Sequence, residues 1–355
     1  MVNGFPGRSA FASRVAEEHG WDGVWVPDTQ NLSGDPYVAL AVSAHSTTRL
    51  LLKTGATNPY TRHPAVTATS IATVQEESNG RAHLGIGRGD SSLAYLGMAP
   101  VPVTYAIQYI QKVQSYLRLE SVPFDAEEFD LRGFKPVADL SLSVAPSDSQ
   151  LRWLRHATTP KVPVEIVASG PRMIKAGARI ADKMTFAVGA DPVRVKWAID
   201  IALESRAEAA SDMRPLGFGV HIGIAVDEDR AKARLMVAES LLAGLVRFSV
   251  MHGRVTGPAE PDVVESLLKV HQKYDMTQHG RRGLQTDAMD DNLIDAFSIA
   301  GPPSYCVERL LQLADVGITS IDLVSGWGID ESTGTLRQAD LTSEVLPRVR
   351  SQLHA

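Results

Sequence analysis

The chain has 355 residues, 44% of them apolar, which suits one large α/β domain or two small ones with a substantial core. A net charge of −6 without a run of Lys or Arg argues against a nucleic-acid partner, and no apolar run reaches the ~18 residues of a membrane span. The lone Cys306 excludes an intramolecular disulfide and a zinc site of the CxxC type, and the N-terminal MVNGFPGRSAF lacks the apolar core of a signal peptide, so a reducing cytoplasm is expected.

Residues 1–8 are polar and glycine-rich, too short for a buried strand and its turn. Ser9 can cap a helix with Phe11, Val15 and Ala16 on one face, ended by Gly20. Gly23 to Pro27 reads as a short strand with Asp28 at its carboxyl end, and a helix follows from Pro36 to His45. An apolar run from Leu50 ends in Thr54-Gly55-Ala56-Thr57-Asn58-Pro59. A helix from Pro64 to Ser78 leads through Asn79-Gly80 into a second run, Ala82 to Ile86, which ends in Gly85-Ile86-Gly87-Arg88-Gly89-Asp90. Strand, helix, strand is the unit that builds parallel sheets.

From Asp90 to Pro163 no buried strand is expected; Val103 to Leu119 is helical and 121–147 irregular. Val162 to Ala168 is a strand closed by Ser169-Gly170-Pro171, then come a helix, a strand Met184–Val188, a helix Pro192–Ser211 and the alternating strand Phe218–Val226. Two or three helices fill 229–300, with a polar, basic loop at Gln278-His279-Gly280-Arg281-Arg282-Gly283. Pro303–Ala314 is a helix, Ser320–Val324 a strand, and a terminal helix starts at Leu341. This gives seven strands. An eight-stranded parallel barrel needs one more, before the first helix, so strand one is absent or degenerate; a doubly wound open sheet is the competing architecture.

In parallel α/β folds, ligands sit at the carboxyl ends of strands, and several of those ends here are rich in glycine. The turn at 85–90 fails the Rossmann fingerprint because Asp90 replaces the last glycine, and the TYAIQYIQ stretch about twenty residues on offers no ribose-binding acid. The turn is either a bare strand–helix connection or a place where backbone N–H groups approach a flat ring or phosphate. Ala168-Ser169-Gly170-Pro171-Arg172 is a helix start that can attract an anion. Asp28 is a helix cap or a pocket residue, His221 an interior or catalytic one, His63 a loop or catalytic one. No HExxH, P-loop or GxSxG occurs, so an organic cofactor is expected to carry the chemistry.

The stretch TGATNPYTRHPAVTATSIATVQEESNGRAHLGIGRGD resembles the core signature of the bacterial luciferase-like flavin-dependent oxidoreductases, and within them the methylenetetrahydromethanopterin reductases. VPVEIVASGPRMIKAGARIAD and LIDAFSIAGPPSYCVERLLQLADVGITSIDLVSG are similar to later units of the same family. The resemblance implies one (β/α)8 TIM barrel of the bacterial luciferase type over residues 1–355, with insertions at 91–163 and 229–300, often dimeric, here expected as a homodimer. It implies coenzyme F-420, a deazaflavin, or alternatively FMN. At matching positions it implies a bulge with a non-proline cis peptide at Thr54-Gly55-Ala56. Ring contacts are implied at Asp28, Thr57, Asn58 and Gly87, Arg88 and Gly89, and a phosphate region at Ala168, Ser169, Gly170 and Pro171. The family's histidine after the strand-two aspartate is Thr29 here. Hydride transfer between F-420 and a small organic substrate is the expected activity, with Asp28, His63 or His221 moving protons. The alternatives are an FMN-dependent monooxygenase and a non-catalytic cofactor-binding or accessory barrel. No metal is expected. Trp327 and the 91–163 insertion are expected to shape the substrate pocket.

Overall fold

Apolar strand residues alternate with polar or small ones, and this period of two decides which face meets the helices. The structure, a computed structural model, describes residues 1–2, 4–124, 133–154, 159–209, 215–279, 282–325 and 338–353. In chain order it runs α1 (Pro6–Glu18), β1 (Gly23–Val26), α2 (Pro36–Ser46), β2 (Leu51–Thr54), α3 (Pro64–Glu77) and β3 (Ala82–Ile86). Next come α4 (Ser91–Ala94), α5 (Val103–Leu117), β4 (Val164–Ala168), α6 (Pro171–Ala178), β5 (Lys183–Phe186), α7 (Pro192–Ala207) and β6 (Gly217–Val226). The chain continues with α8 (Arg230–Ala238), α9 (Leu242–Arg247), α10 (Pro261–Lys273), α11 (Asp291–Phe297), β7 (Ser298–Gly301), α12 (Pro303–Asp315) and β8 (Ser320–Ser325), and closes with α13 (Leu346–Leu353).

All pairings between these strands are parallel, and β1 to β6 are neighbours in sequence order. That order lacks the reversal a doubly wound sheet requires, so the barrel reading holds and the open sheet falls. β6 has ten residues because it serves three partners. Its first four pair with β5, 219–223 pair with β8, and 223–226 pair with β7. Gly223 pairs with both β7 and β8, so β7 continues the β5 edge while β8 takes the other.

Among the described residues no strand precedes α1, as expected, and no pairing joins β8 to β1. Met1 and Val2 lie in that seam: the Val2 amide donates to the Trp25 carbonyl at 2.9 Å, and the Met1 nitrogen reaches the Leu323 carbonyl at 3.4 Å. Two sequence expectations need correction. The segment 229–300, read as two or three helices, holds four α-helices and most of β7 among the described residues. Strand β7 is only Ser-Ile-Ala-Gly, too short to show alternation. The strand read as Met184–Val188 is Lys183–Phe186, and beyond it the chain turns at Gly189 with φ +99°.

On the helix side, Leu52, Leu84, Ile86, Val164, Ile166, Met184 and Phe186 are fully buried in the main core. A smaller apolar cluster joins α8 to α11, with Val237, Leu242, Val246, Leu267 and Leu293 at its centre. The barrel interior is ionic instead. Lys53 contacts Glu165 at 2.7 Å and also pairs with Asp322, Lys183 reaches Glu165 at 3.0 Å, and the Thr185 hydroxyl donates to Glu165 at 2.6 Å. Burial opposes ionisation of Asp322 and Glu165, but Lys53 together with Lys183, and His221 at Asp322, outweigh it and hold both carboxyls below their ordinary values of 3.8 and 4.5.

Folding lowers these carboxyl pKa values, so their stabilisation is complete above the unfolded values and is lost as acid titrates the folded groups. Lys53→Met leaves two buried carboxylates short of a partner and is expected to lower stability at pH 7 by about 3–5 kcal/mol. The deficit should shrink below about pH 4.5, where the carboxyls of the unfolded chain are protonated. Urea unfolding at both pH values measures this; equal stability of variant and wild type at pH 7 would contradict it.

Candidate functional site

The carboxyl ends of β1 to β4 meet at a cavity of ≈ 590 Å³. Its rim depends on how the chain leaves β2. The Gly55 amide donates to the Val26 carbonyl (2.8 Å), the Thr57 amide to Gly85 (2.9 Å), and the Gly87 amide returns to Thr57 (3.0 Å). The Thr54 hydroxyl donates to the Gly85 carbonyl at 2.8 Å. These bonds stitch residues 54–57 between β1 and β3, and the Gly55–Ala56 peptide is cis. Trp25 packs beneath: a Cβ on Gly55 would stand 2.4 Å from its ring.

The glycines divide into two kinds. A Cβ on Gly85 would lie 2.1 Å from the Thr54 carbonyl oxygen, and Gly89 has φ +75° with Asn58 Cβ only 2.8 Å from the added atom. Packing requires those two. At Gly87 an added Cβ meets nothing nearer than 3.5 Å, and at Gly170 nothing within 4 Å. Both line the cavity, so the missing side chains there leave room on the cavity side rather than room for protein. Ala56 and Ala168 continue that low rim.

Most residues singled out in the sequence converge here. Asp28, Gly55, Ala56, Thr57, Gly87, Arg88 and Gly89 line the cavity from the β1 to β3 ends. Ala168, Ser169, Gly170 and Pro171 line it from the β4 end, and His221 does so from β6. Three do not. Thr54 is buried and turned to Gly85, where it holds the rim. Asn58 is buried, and its Oδ1 accepts from the Tyr60 and Thr61 amides at 3.1 and 3.0 Å, which shapes the turn. His63 is exposed and its Nδ1 accepts from the Ala65 amide at 3.1 Å, capping α3. A polar residue after an apolar strand gives no sign of which way its side chain turns.

Asp28 is buried and crowded with donors: Thr57 Oγ1, Arg62 Nη1 and Gln30 Nε2, each at 2.5 Å. Arg62 also bridges to Asp35 at 2.7 Å. This set suits a carboxylate that accepts, not an acid that donates. His221 is buried, stacked on Trp25 with centroids 5.6 Å apart, and its Nε2 lies 3.1 Å from Asp322. Its Nδ1 takes no protein partner among the described residues.

At the β4 end, Arg88 is held by the Val101 and Pro100 carbonyls at 2.6 and 3.3 Å. Burial, then the neighbouring Arg172 guanidinium, lower the Arg88 pKa from its ordinary value. Two arginines beside Ser169, Gly170 and the start of α6 form a donor set suited to an anion. Among the described residues no cluster of His, Cys, Asp and Glu could hold a metal ion.

Several cavity residues were not anticipated as site residues. Leu241, Gly244, Leu245, Phe248 and His279 form a wall from α9, its flanks and the loop after α10. The loop's polar character was legible; its position beside the rim was not. Of the 91–163 insertion, Ser91, Ser92, Pro100 and Val103 reach the cavity. Trp327 lies outside the described residues.

A luciferase-like monooxygenase family model matches residues 10–320. The chain belongs to that family. It is 28% identical over 318 residues to a 5,10-methylenetetrahydromethanopterin reductase of Methanolobus tindarius, covering 88% of each chain. It is 27% identical to an F-420-dependent glucose-6-phosphate dehydrogenase of Beutenbergia cavernae, covering 95% of this chain and 92% of that one. The fold matches that of the coenzyme F-420-dependent tetrahydromethanopterin reductase of Methanopyrus kandleri with a TM-score of 0.70 at 23% identity, covering 97% and 96%.

The two kinds of glycine predict opposite outcomes for the same substitution. Gly87→Ala and Gly170→Ala should change stability by less than about 1 kcal/mol, while Gly85→Ala should lower it by about 1–3 kcal/mol or more. Urea titration separates them; a Gly87→Ala variant as damaged as Gly85→Ala would show that the rim is packed rather than open.

Proposed function

We propose that this protein is an oxidoreductase that uses coenzyme F-420 to exchange a hydride with a small organic substrate. The observation that carries the reading is the low rim of glycines and alanines at Ala56, Gly87, Ala168 and Gly170, with Arg88 and Arg172 at one end. The rim leaves space for a flat ring system and the arginines suit an anionic tail. Hydride exchange is the chemistry that the cofactor supplies when bound. Relatives named for F-420-dependent reactions support the choice of cofactor.

The chain's own residues would bind, orient and exclude water. Gly87 and Ala56 let the backbone approach the ring, and Arg88, Arg172, Ser169 and Gly170 hold the anionic end. Trp25 backs the stitched rim, and Asp28, fixed by Thr57 and Arg62, offers an acceptor edge. Of the three groups considered for proton movement, His63 is too far round the α3 cap and Asp28 is occupied by donors. His221 remains, with Asp322 holding one ring nitrogen. FMN is the second reading, because the family description names monooxygenases.

Titration with oxidised F-420 and with FMN, followed by fluorescence, tests the reading. F-420 should bind at one per chain, and Gly87→Leu should weaken it by about 100-fold or more while leaving the melting temperature near wild type. Tighter binding of FMN would transfer the reading to flavin chemistry; binding of neither would favour a non-catalytic barrel.

The same reading takes the chain as one barrel domain, cytoplasmic, and working as a homodimer. No helix among the described residues is long and apolar enough to cross a membrane. α2 packs beside α3, and Val38, Val42 and Val66 are exposed on them, a face suited to a second copy of the chain. Sedimentation should give a dimer that Val38→Asp converts to monomer; a monomeric wild type would refute this assembly.

A further inference from the structure

The wall formed by α9 and the loop after α10 carries a chain of polar side chains that the reading above does not use. The Tyr274 hydroxyl lies 2.7 Å from His279 Nδ1. Arg247 sits over the Tyr274 ring, 4.9 Å from its centroid. Arg247 also pairs with Asp90 at the end of the β3 turn. A phenol O–H is a stronger acid than the N–H of a neutral imidazole, so the Tyr274 hydroxyl donates to His279 Nδ1. A neutral imidazole that accepts at Nδ1 carries its proton on Nε2. Nε2 has no protein partner among the described residues, and the ring lines the cavity.

Two further contacts show that this placement is built. A Cβ on Gly244 would stand 3.3 Å from His279 Cε1 and 3.7 Å from the Tyr274 oxygen, so glycine there leaves the pair packed closely on α9. The Tyr95 hydroxyl donates to the Met276 carbonyl at 2.8 Å, tying the loop to the segment after β3. The charged groups around the ring are Arg247 from α9 and, beyond it, Asp90; Asp275 is turned to Thr277. Burial, then Arg247, push the His279 imidazole down to about 4, so it is neutral at pH 7. Leu241, Leu245 and Phe248 give the surrounding wall an apolar surface.

We propose that His279 Nε2–H is the hydrogen-bond donor for the oxygen of an uncharged carbonyl or hydroxyl substrate with an apolar body, and that the Tyr274 hydroxyl fixes this tautomer. A neutral donor beside leucines and a phenylalanine recognises a ketone, aldehyde or alcohol better than a carboxylate. The proposal rests on the oxidoreductase reading for what happens to that substrate, yet its test needs no cofactor.

Histidine nitrogen NMR of the full-length protein at pH 7 reads the tautomer directly. His279 should show Nε2–H and a bare Nδ1; an imidazolium or an Nδ1–H form overturns the proposal. Tyr274→Phe, which removes only a hydroxyl, should release a mixture of tautomers; a ring that stays wholly in the Nε2–H form shows that Tyr274 does not fix it and overturns that part. Cyclohexanone should shift the His279 Nε2 signal and cyclohexanecarboxylate should not. Tyr274→Phe and His279→Ala should each weaken cyclohexanone binding by about fivefold. No shift with cyclohexanone up to its solubility limit, or an equal shift with the carboxylate, overturns the assignment. Oxidised F-420 titrated into the same samples reports on the cofactor separately: its failure to bind alongside an intact His279 response refutes the oxidoreductase reading alone.

Discussion

The exit of the chain from β2 is the constraint on which the site depends. Four hydrogen bonds, from Gly55, Thr57 and Gly87 amides and the Thr54 hydroxyl, hold residues 54–57 between two neighbouring strands. Trp25 fills the space beneath, so closely that residue 55 has no room for a Cβ. Backbone that leaves a strand early would ordinarily expose unpaired amides; here the Gly55 amide finds a carbonyl on β1 and the Thr57 amide one on β3. A rim made this way is stiff without side chains above it, which is what a flat ligand needs from one face of a pocket.

The ionic interior beneath the rim complements it. Barrels are commonly filled by branched apolar side chains, whereas this one has Lys53, Lys183, Glu165, Asp322 and Thr185 in mutual contact. His221 connects the two levels, with its ring on Trp25 at the cavity floor and its Nε2 on Asp322 in the network. Ring orientation at the floor is thereby set by charges inside the barrel. On the far wall, Arg247 packs over the Tyr274 ring, and the Tyr274 hydroxyl meets His279 Nδ1. Two histidines thus face one cavity from separate, independently anchored supports.

The sequence disclosed the parts of this arrangement that rest on local chemistry. Apolar runs ending in glycine marked the ends of β2, β3 and β4, and those ends do meet. It misjudged what depends on side-chain direction. Thr54, Asn58 and His63 occupy plausible positions along the chain, but each turns its polar atoms to the backbone as a brace, a turn or a cap. Strand β7 escaped notice because four residues carry no period, and the α9–loop wall because it lies far along the chain from Ala56, Gly87 and Ala168. Tertiary contacts of that range leave no local pattern to read.

The account stands or falls on where a tricyclic redox ring lies. A crystal structure of the protein with oxidised F-420 tests that most directly. The account predicts the ring across Ala56 and Gly87, with its phosphate end toward Arg88 and Ser169. Density for the ring elsewhere on the molecule, or in the reverse orientation with the phosphate end away from the arginines, would contradict it.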